Sequence, residues 1–567
     1  SIVKQYFIKA INSMLVQKRR HLSKIYLSIL FCVLICSVAL SDERPNVILI
    51  VADDLGYSDL GVYGSEIKTP NLDKLSKSGI QLTNYYTAPT CGPTRAMLLT
   101  GVDNHMAGLG TNSAALRRLP ELRGRPGYEG FLNDSVIPFP KILNQAGYDT
   151  FMTGKWHLGK KEGKLPTDQG FDKYFGILDG GGSHFSDASG TFSGTPVAEY
   201  YEDGKKLNKL SEDFYSSKDY TIKMLDYINK NDNSKNPFFA YLAYTAPHWP
   251  LHVPDEWIDK YKGIYDEGWD EIRESRFNRQ KSLGILPEDS ELPPMNRVVK
   301  KWSEISTHQK KIELKRIELH AAMIELMDHY IGRIIDYVQN EIERETIIIF
   351  VSDNGAEGNA IDKMGQNEFW IPATFDNRLT NMGKEGSYVW LGAGWAQATV
   401  SPYKIYKSYT SQGGIKSPAI LYSSKSRFKP QVKNSVMTVM DIAPTILEIT
   451  NTNFPANNKA LIPFTGRSAL DFLTDKVMNI HGDNPIGWEL YGNRALIKGK
   501  HKAVLTWPPE GSGKWELYDI EKDPAEFNDL SSVMPDVIER LKKDWDNYAS
   551  SNGVAVFEKD IGYGRYP

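Results

Sequence analysis

Two pairs of hard oxygen donors stand three hundred residues apart in this chain, Asp53-Asp54 and Asp353-Asn354. Adjacent carboxylates repel unless a cation or protons intervene. A third carboxylate and an amide oxygen brought to the same place would complete an all-oxygen set. Such a set, without cysteine or histidine, suits calcium or magnesium rather than zinc. The second chemical feature is Cys91, in the run Cys91-Gly92-Pro93-Thr94-Arg95. The chain has three cysteines, and Cys32 and Cys36 lie in an N-terminal stretch read below as a cleaved signal. The remaining thiol can form no internal disulfide, and in an oxidising compartment it is a liability unless buried, used or converted. Histidines and lysines form a third group: Lys155 and His157 in Gly154-Lys155-Trp156-His157, His248 in Ala246-Pro247-His248, and Lys407 just before Gln412-Gly413-Gly414.

These groups need elements that bring them together. Val47–Ala52 is a short, continuous apolar run of β-branched character, as a fully buried central strand requires, and Asp53-Asp54 ends it. Thr346–Val351 ends in Ser352-Asp353-Asn354. Phe238–Tyr244 leads to Pro247-His248, and the weaker strand Tyr148–Thr153 leads to Lys155 and His157. Helical spacing is expected over Asn71–Ser78, Ile137–Ala146, Tyr220–Asn229 and Glu313–Val338. The alternation predicts an α/β fold: a large, mostly parallel sheet with helices on both faces. Ligands gather at the carboxyl ends of such strands, where these polar residues fall. Residues 255–312 read as a charged, irregular surface excursion. Residues 355–412 are too long for a simple loop and carry Trp370, Tyr388, Trp390 and Trp395, the composition of an active-site wall. Short strands over Trp488–Ile497, Lys502–Trp507 and Lys514–Ile520, closed by a helix over Met534–Tyr548, predict a small C-terminal antiparallel α+β subdomain.

The net charge of -3 on 567 residues offers no bulk attraction to nucleic acid or an anionic membrane. Lys18, Arg19, Arg20 and Lys24 precede an apolar run, Ile25–Leu40, and Ala39-Leu40-Ser41 offers a small-x-small cleavage site. Residues 1–41 are read as a signal peptide with the residues preceding it, so the mature protein is expected to be exported, periplasmic or secreted. At about sixteen residues the run is short for a membrane span, and no stable membrane partner is expected. Residues 42–425 are assigned to the catalytic domain. Residues 426–567 are assigned to the remainder of the core and the C-terminal subdomain.

Cys91-Gly92-Pro93-Thr94-Arg95, followed by Ala96-Met97-Leu98-Leu99-Thr100-Gly101 and preceded by Asp53-Asp54, resembles the signature of type I sulfatases, most closely in the manner of bacterial arylsulfatases. The likeness runs from Pro45 into the C-terminal subdomain. It implies an alkaline-phosphatase-like fold and hydrolysis of sulfate monoesters, aryl sulfates first among them. It implies that a formylglycine-generating enzyme converts Cys91 to formylglycine (3-oxoalanine). In the hydrated aldehyde one hydroxyl attacks sulfur, and deprotonation of the other expels sulfate. It further implies that Asp53, Asp54, Asp353, Asn354 and the modified Cys91 bind Ca2+, with Mg2+ as the alternative, and that Asp353 doubles as the base for the attacking hydroxyl. Arg95 would turn back to the modified side chain or the sulfate, and Lys155 would bind sulfate oxygens. His157 would take the proton of the second hydroxyl, a transfer its ordinary pKa of about 6.5 suits. His248 and Lys407 would hold and protonate the leaving oxygen.

Ser183 and His184, in a glycine-rich loop, could touch substrate, whereas His105 and His252 read as structural. The segment Gln412-Gly413-Gly414-Ile415-Lys416 departs from the family, which often has Glu and Arg at its ends. Two other functions fit the same residues. One is a phosphonate monoester or phosphodiester hydrolase of the same superfamily. The other is a non-catalytic protein binding a sulfated small molecule or glycan.

Overall fold

The computed structural model describes residues 44–231 and 235–562, together with Phe7, Lys9 and Met14. It divides into two units, Ser1–Glu43 and Arg44–Pro567. The signal-peptide expectation lies outside the described residues. Among the described residues no helix is long and apolar enough to cross a membrane.

The larger unit is built on an eleven-stranded mixed sheet. Seven of its strands position the site: β1 (Asn46–Ala52), β2 (Ile80–Tyr86), β3 (Asp149–Lys155), β4 (Lys173–Ile177), β5 (Phe238–Ala243), β6 (Thr346–Ser352) and β7 (Lys416–Ser423). Their spatial order is β2-β7-β6-β1-β5-β3-β4, with short strands at either edge. From β6 to β4 every pairing is parallel, and β7 runs antiparallel between β6 and β2. The apolar runs are central strands because both of their faces are covered. On β1, Ile48, Ile50 and Ala52 enter one core, while Val47, Leu49 and Val51 enter the other. Ile348 and Phe350 against Ile347 and Ile349 repeat that alternation on β6, as the two-residue period of a strand demands. Each such side chain contributes roughly 1.5–3 kcal/mol of burial, which ties the register down.

Helix α1 (Cys91–Thr100) covers the second core, and α2 (Trp269–Ser282) and α3 (Thr307–Glu341) lie on the first. Helix α2 corrects the reading of 255–312 as irregular. Its buried face carries Arg273, Arg276 and Gln280 beside Trp269 and Phe277, so hydrophobic periodicity could not find it. Arg276 ties it to Asp59 at 2.8 Å and to Glu66 at 2.6 Å. Helix α3 starts six residues before the expected Glu313, behind a Ser306 cap that accepts from the Gln309 amide.

A separate four-stranded antiparallel sheet follows, over Ile486–Leu490, Asn493–Lys498, His501–Leu505 and Trp515–Asp519. The expected single strand Trp488–Ile497 is in fact a hairpin turning at Tyr491-Gly492, with Tyr491 at φ 56° and Gly492 at φ 89°. Helix α4 (Pro535–Asn552) closes this sheet through Leu541, Trp545 and Ala549.

Candidate active site

The carboxyl ends of β6, β1, β5 and β3 lie side by side. Ser352 pairs with Ala52, and Ala243 pairs with both Val51 and Gly154. The residues just beyond are therefore neighbours: Asp353 and Asn354, Asp53 and Asp54, His248, and Lys155 and His157. Strand β2 is parallel to this set and delivers Cys91 to the same edge at the first position of α1, behind the Thr90 cap. Antiparallel β7 begins there, so the segment before it brings Lys407 to the same edge. All ten residues assigned chemistry from the sequence meet at one place, and nine of them are buried to under a tenth of their surface.

One oxygen each of Asp53 and Asp353 and the sulfur of Cys91 lie within 4.8 Å of one another. Arg95 donates from Nε and Nη2 to Asp353 Oδ2 at 3.0 and 2.9 Å, and from Nη1 to the Lys155 carbonyl at 2.9 Å. Thus Arg95 turns back to a carboxylate rather than to Cys91. Lys155 Nζ donates to Asp53 Oδ2 at 2.6 Å. Lys407 Nζ lies 2.8 Å from Asp54 and 3.2 Å from Glu357. Asn354 Nδ2 donates to Asp54 Oδ1 at 2.7 Å, and the Asp54 amide donates to Asp353 Oδ1 at 3.2 Å. Asp53 Oδ1 and Asn354 Oδ1 are buried with no hydrogen-bond partner among the described residues. Buried orphan oxygens are costly, and a hard cation is the partner their chemistry suits. Four carboxylates (Asp53, Asp54, Asp353, Glu357) face three fixed cations (Arg95, Lys155, Lys407). A dication would convert that single negative surplus into a single positive one, the sign that attracts a monoester anion.

Burial pushes the Asp53 and Asp54 carboxyls above their ordinary range, despite the opposing charges of Lys155 and Lys407. At Asp353 burial also pushes upward, but Arg95, Lys155 and Lys407 outweigh it and hold the carboxyl below its ordinary value. Burial raises the Cys91 thiol. His157 Nδ1 stands 3.3 Å from Cys91 Sγ, and burial followed by the charges of Lys155 and Arg95 drives its pKa well below 6.5. His248 is lowered well below 6.5 by burial and then by Lys407 and Lys155. Its Nδ1 donates to the Trp249 carbonyl at 2.5 Å, which turns Nε2 toward Asp54 at 3.7 Å.

Backbone conformation carries part of the assembly. Asp54 and His157 are left-handed, at φ 65° and 59°, an arrangement that persists only where surroundings enforce it. Gly180 and Gly181 press on the two imidazoles. A Cβ at Gly180 would stand 2.7 Å from His157 Cε1, and one at Gly181 would stand 2.7 Å from His248 Cε1.

A cavity of about 360 Å³ opens above Cys91, His157, His248 and Lys407, between Phe192, Trp249 and Leu178. Trp370 and Tyr388 support that wall: Trp370 meets Tyr388 edge-on, and Tyr388 lies tilted against Trp249. Trp395 instead packs into the core against Trp269 and Trp302, and Trp390 lies under Arg316. His184 and Ser183 stand behind the site. His184 Nε2 donates to the His248 carbonyl at 3.0 Å, and Ser183 Oγ holds Asp187. His252 donates to the Ser387 carbonyl at 2.9 Å, a structural bond as expected. Gln412 and Lys416 lie outside the cavity: Gln412 faces Tyr86 and Lys502, and Lys416 lies over Tyr403.

Sequence reasoning missed Glu357 and Asn112. Asn112 accepts from the Gly92 amide at 3.0 Å and donates to Thr90 Oγ1 at 2.8 Å, which fixes the first turn of α1. It sits in a loop with no local motif. Glu357 follows Asn354 by three residues, and only its pairing with Lys407 reveals a role.

A family model described as Sulfatase matches residues 45–452. An uncharacterised sulfatase of Schizosaccharomyces pombe is 42% identical over 540 residues, covering 92% of this chain and 96% of that protein. An arylsulfatase of Klebsiella aerogenes is 39% identical over 436 residues, covering 76% of this chain and 92% of that protein. Among solved structures, Ps i-CgsB superposes with a TM-score of 0.65 at 24% identity, over 91% of this chain and 95% of the other, so it shares the fold. The chain belongs to the sulfatase family and is a sulfuric ester hydrolase of alkaline-phosphatase-like fold.

Proposed function

We propose that this sulfatase is exported and cleaves aryl sulfate monoesters, with Cys91 matured to formylglycine by a formylglycine-generating enzyme and with a bound Ca2+. The carrying observation is the 4.8 Å grouping of the Cys91 sulfur with Asp53 and Asp353 oxygens, beneath a cavity ringed by cations. Asp53, Asp54, Asp353 and Asn354 would hold the cation, which supplies charge neutralisation for a tetrahedral anion and for an ionising hydroxyl. The aldehyde hydrate supplies two hydroxyls on one carbon, which a thiol does not. The aryl reading is supported by the Klebsiella arylsulfatase likeness and by Phe192 and Trp249 in the wall.

The chain's own residues divide the remaining work. The positive end of the α1 dipole favours an anion beside Cys91. Lys155 and Lys407 bracket the sulfate. Arg95 keeps Asp353 ionised and in place. His157, held neutral by burial and its cationic neighbours, is a base within reach of the residue-91 side chain. His248 Nδ1 is committed to a carbonyl, so its neutral ring presents an acceptor to the cavity. Lys407, whose ammonium Asp54 and Glu357 stabilise against burial, carries the proton nearest the leaving oxygen at neutral pH.

Mass spectrometry of the Cys91 peptide from enzyme made in its native host tests the reading. The expected peptide carries CHO in place of CH2SH, and an entirely unmodified thiol would overturn it. Turnover of 4-nitrophenyl sulfate should exceed that of phenyl phosphonate and of a phosphodiester, and dominant diester cleavage would reassign the substrate.

A further inference from the structure

A second charged region adjoins the catalytic cavity. Residues between Leu116 and Phe131 form an open groove of about 520 Å³ that shares Arg117, Glu129 and Phe131 with that cavity. Arg117, Arg123 and Arg125 stand exposed along it. Arg123 donates to the main-chain carbonyls of Leu116, at 3.3 Å, and Arg117, and Arg125 donates to that of Val554 at 3.3 Å. Among the described residues none of the three pairs with a carboxylate. A guanidinium has five donors, so each keeps most of its hydrogen-bonding capacity and all of its charge.

The segment is held from beneath by the C-terminal subdomain. Ala115, Leu119, Leu122 and Tyr128 pack with Leu490, Tyr491, Ala555 and Ile561, and the Ala555 amide donates to Tyr128 Oη at 2.8 Å. Glu129 stands at the junction of groove and cavity. Its Oε1 accepts from the Gly127 amide at 3.2 Å, and its Oε2 is buried with no partner among the described residues. A carboxylate there repels an anion placed at the junction and accepts from a neutral hydroxyl or amide. A second anion is favoured beyond Glu129, where Arg123 and Arg125 stand exposed.

We infer that the substrate carries a second anionic group on its leaving-group side, separated from the reacting sulfate by a neutral span, and that Arg117, Arg123 and Arg125 hold it. The inference rests on the catalytic cavity being the site of sulfate ester cleavage. The shared chemistry is a remote sulfate, sulfonate or carboxylate, whether borne by an aryl compound or by a sugar.

The test uses fully matured, metal-loaded enzyme and two substrate pairs. One is an aryl sulfate with and without a remote sulfonate, and the other is a disaccharide carrying two sulfates or one. In at least one pair kcat/KM for the dianion should exceed that of its parent by about tenfold, the yield of a few exposed ion pairs, with the difference in KM. The pair showing it identifies the source. The ratio should fall toward one in ~1 M salt, where the Debye length is about 3 Å. It should also fall in the Arg123→Ala/Arg125→Ala variant and largely return in Arg123→Lys/Arg125→Lys. A ratio near one in both pairs, or one that survives both salt and the alanine variant, would overturn the inference. Failure of the enzyme to cleave any of the four sulfate esters would instead bring down the underlying catalytic reading, and the inference with it.

Discussion

Two buried charged clusters in this molecule invite comparison. At the strand ends, Asp53, Asp54, Asp353, Arg95, Lys155 and Lys407 share a space with two orphaned oxygens and left-handed backbone at Asp54 and His157. At the seam with the C-terminal subdomain, His105 lies between Asp103 and Glu489, at 3.0 and 3.2 Å, and Tyr548 Oη donates to Asp103 at 2.8 Å. Burial disfavours charge in both. The seam satisfies both ring nitrogens with carboxylates, whereas the strand-end cluster leaves acceptor capacity facing inward. Satisfied buried charge holds elements together, and unsatisfied buried charge marks where a ligand or ion completes the set.

Cys91→Ala gives the largest contrast. Turnover of 4-nitrophenyl sulfate should fall by about 10^4-fold or more, with the circular dichroism spectrum and thermal midpoint nearly unchanged. No comparable kinetic loss is expected at the seam. Arg95→Gln should destabilise by about 3–5 kcal/mol in denaturant unfolding, because Asp353 is left buried without its cation. A smaller loss would mean water reaches the cluster.

The seam should respond to pH. Burial works against the His105 imidazolium, but hydrogen bonds and charge from Asp103 and Glu489 outweigh it and raise the pKa to about 9. A folded pKa raised above about 6.5 contributes stability that is fully present below that pH and lost as pH rises through about 9. The loss is of order 3 kcal/mol. Denaturation curves between pH 6 and 10 should show it in the native protein and not in His105→Gln, whose kcat should match the native value. The smallest expected effect is at Gly180. Gly180→Ala, crowding His157, should lower kcat about tenfold with little change in stability.

The sheet and its site were legible to different degrees. β1, β5 and β6 could be read because continuous apolar runs have one stable home, between two cores. Helix α2 could not, because its inward face is Arg273, Arg276 and Gln280, whose partners include Asp59 and Ser401 on distant segments of the chain. Asn112 and Glu357 escaped for the same reason: their roles are relations to Gly92 and Lys407, not local patterns.

By itself the sequence determined which residue types stand at the strand ends, since strand periodicity is local physics. Tertiary structure alone decided that Arg95 grips Asp353, that two glycines abut two imidazoles, and that an arginine-lined groove continues the cavity. Those facts depend on parallel strand order and on register, which set distances between segments that no local spacing encodes.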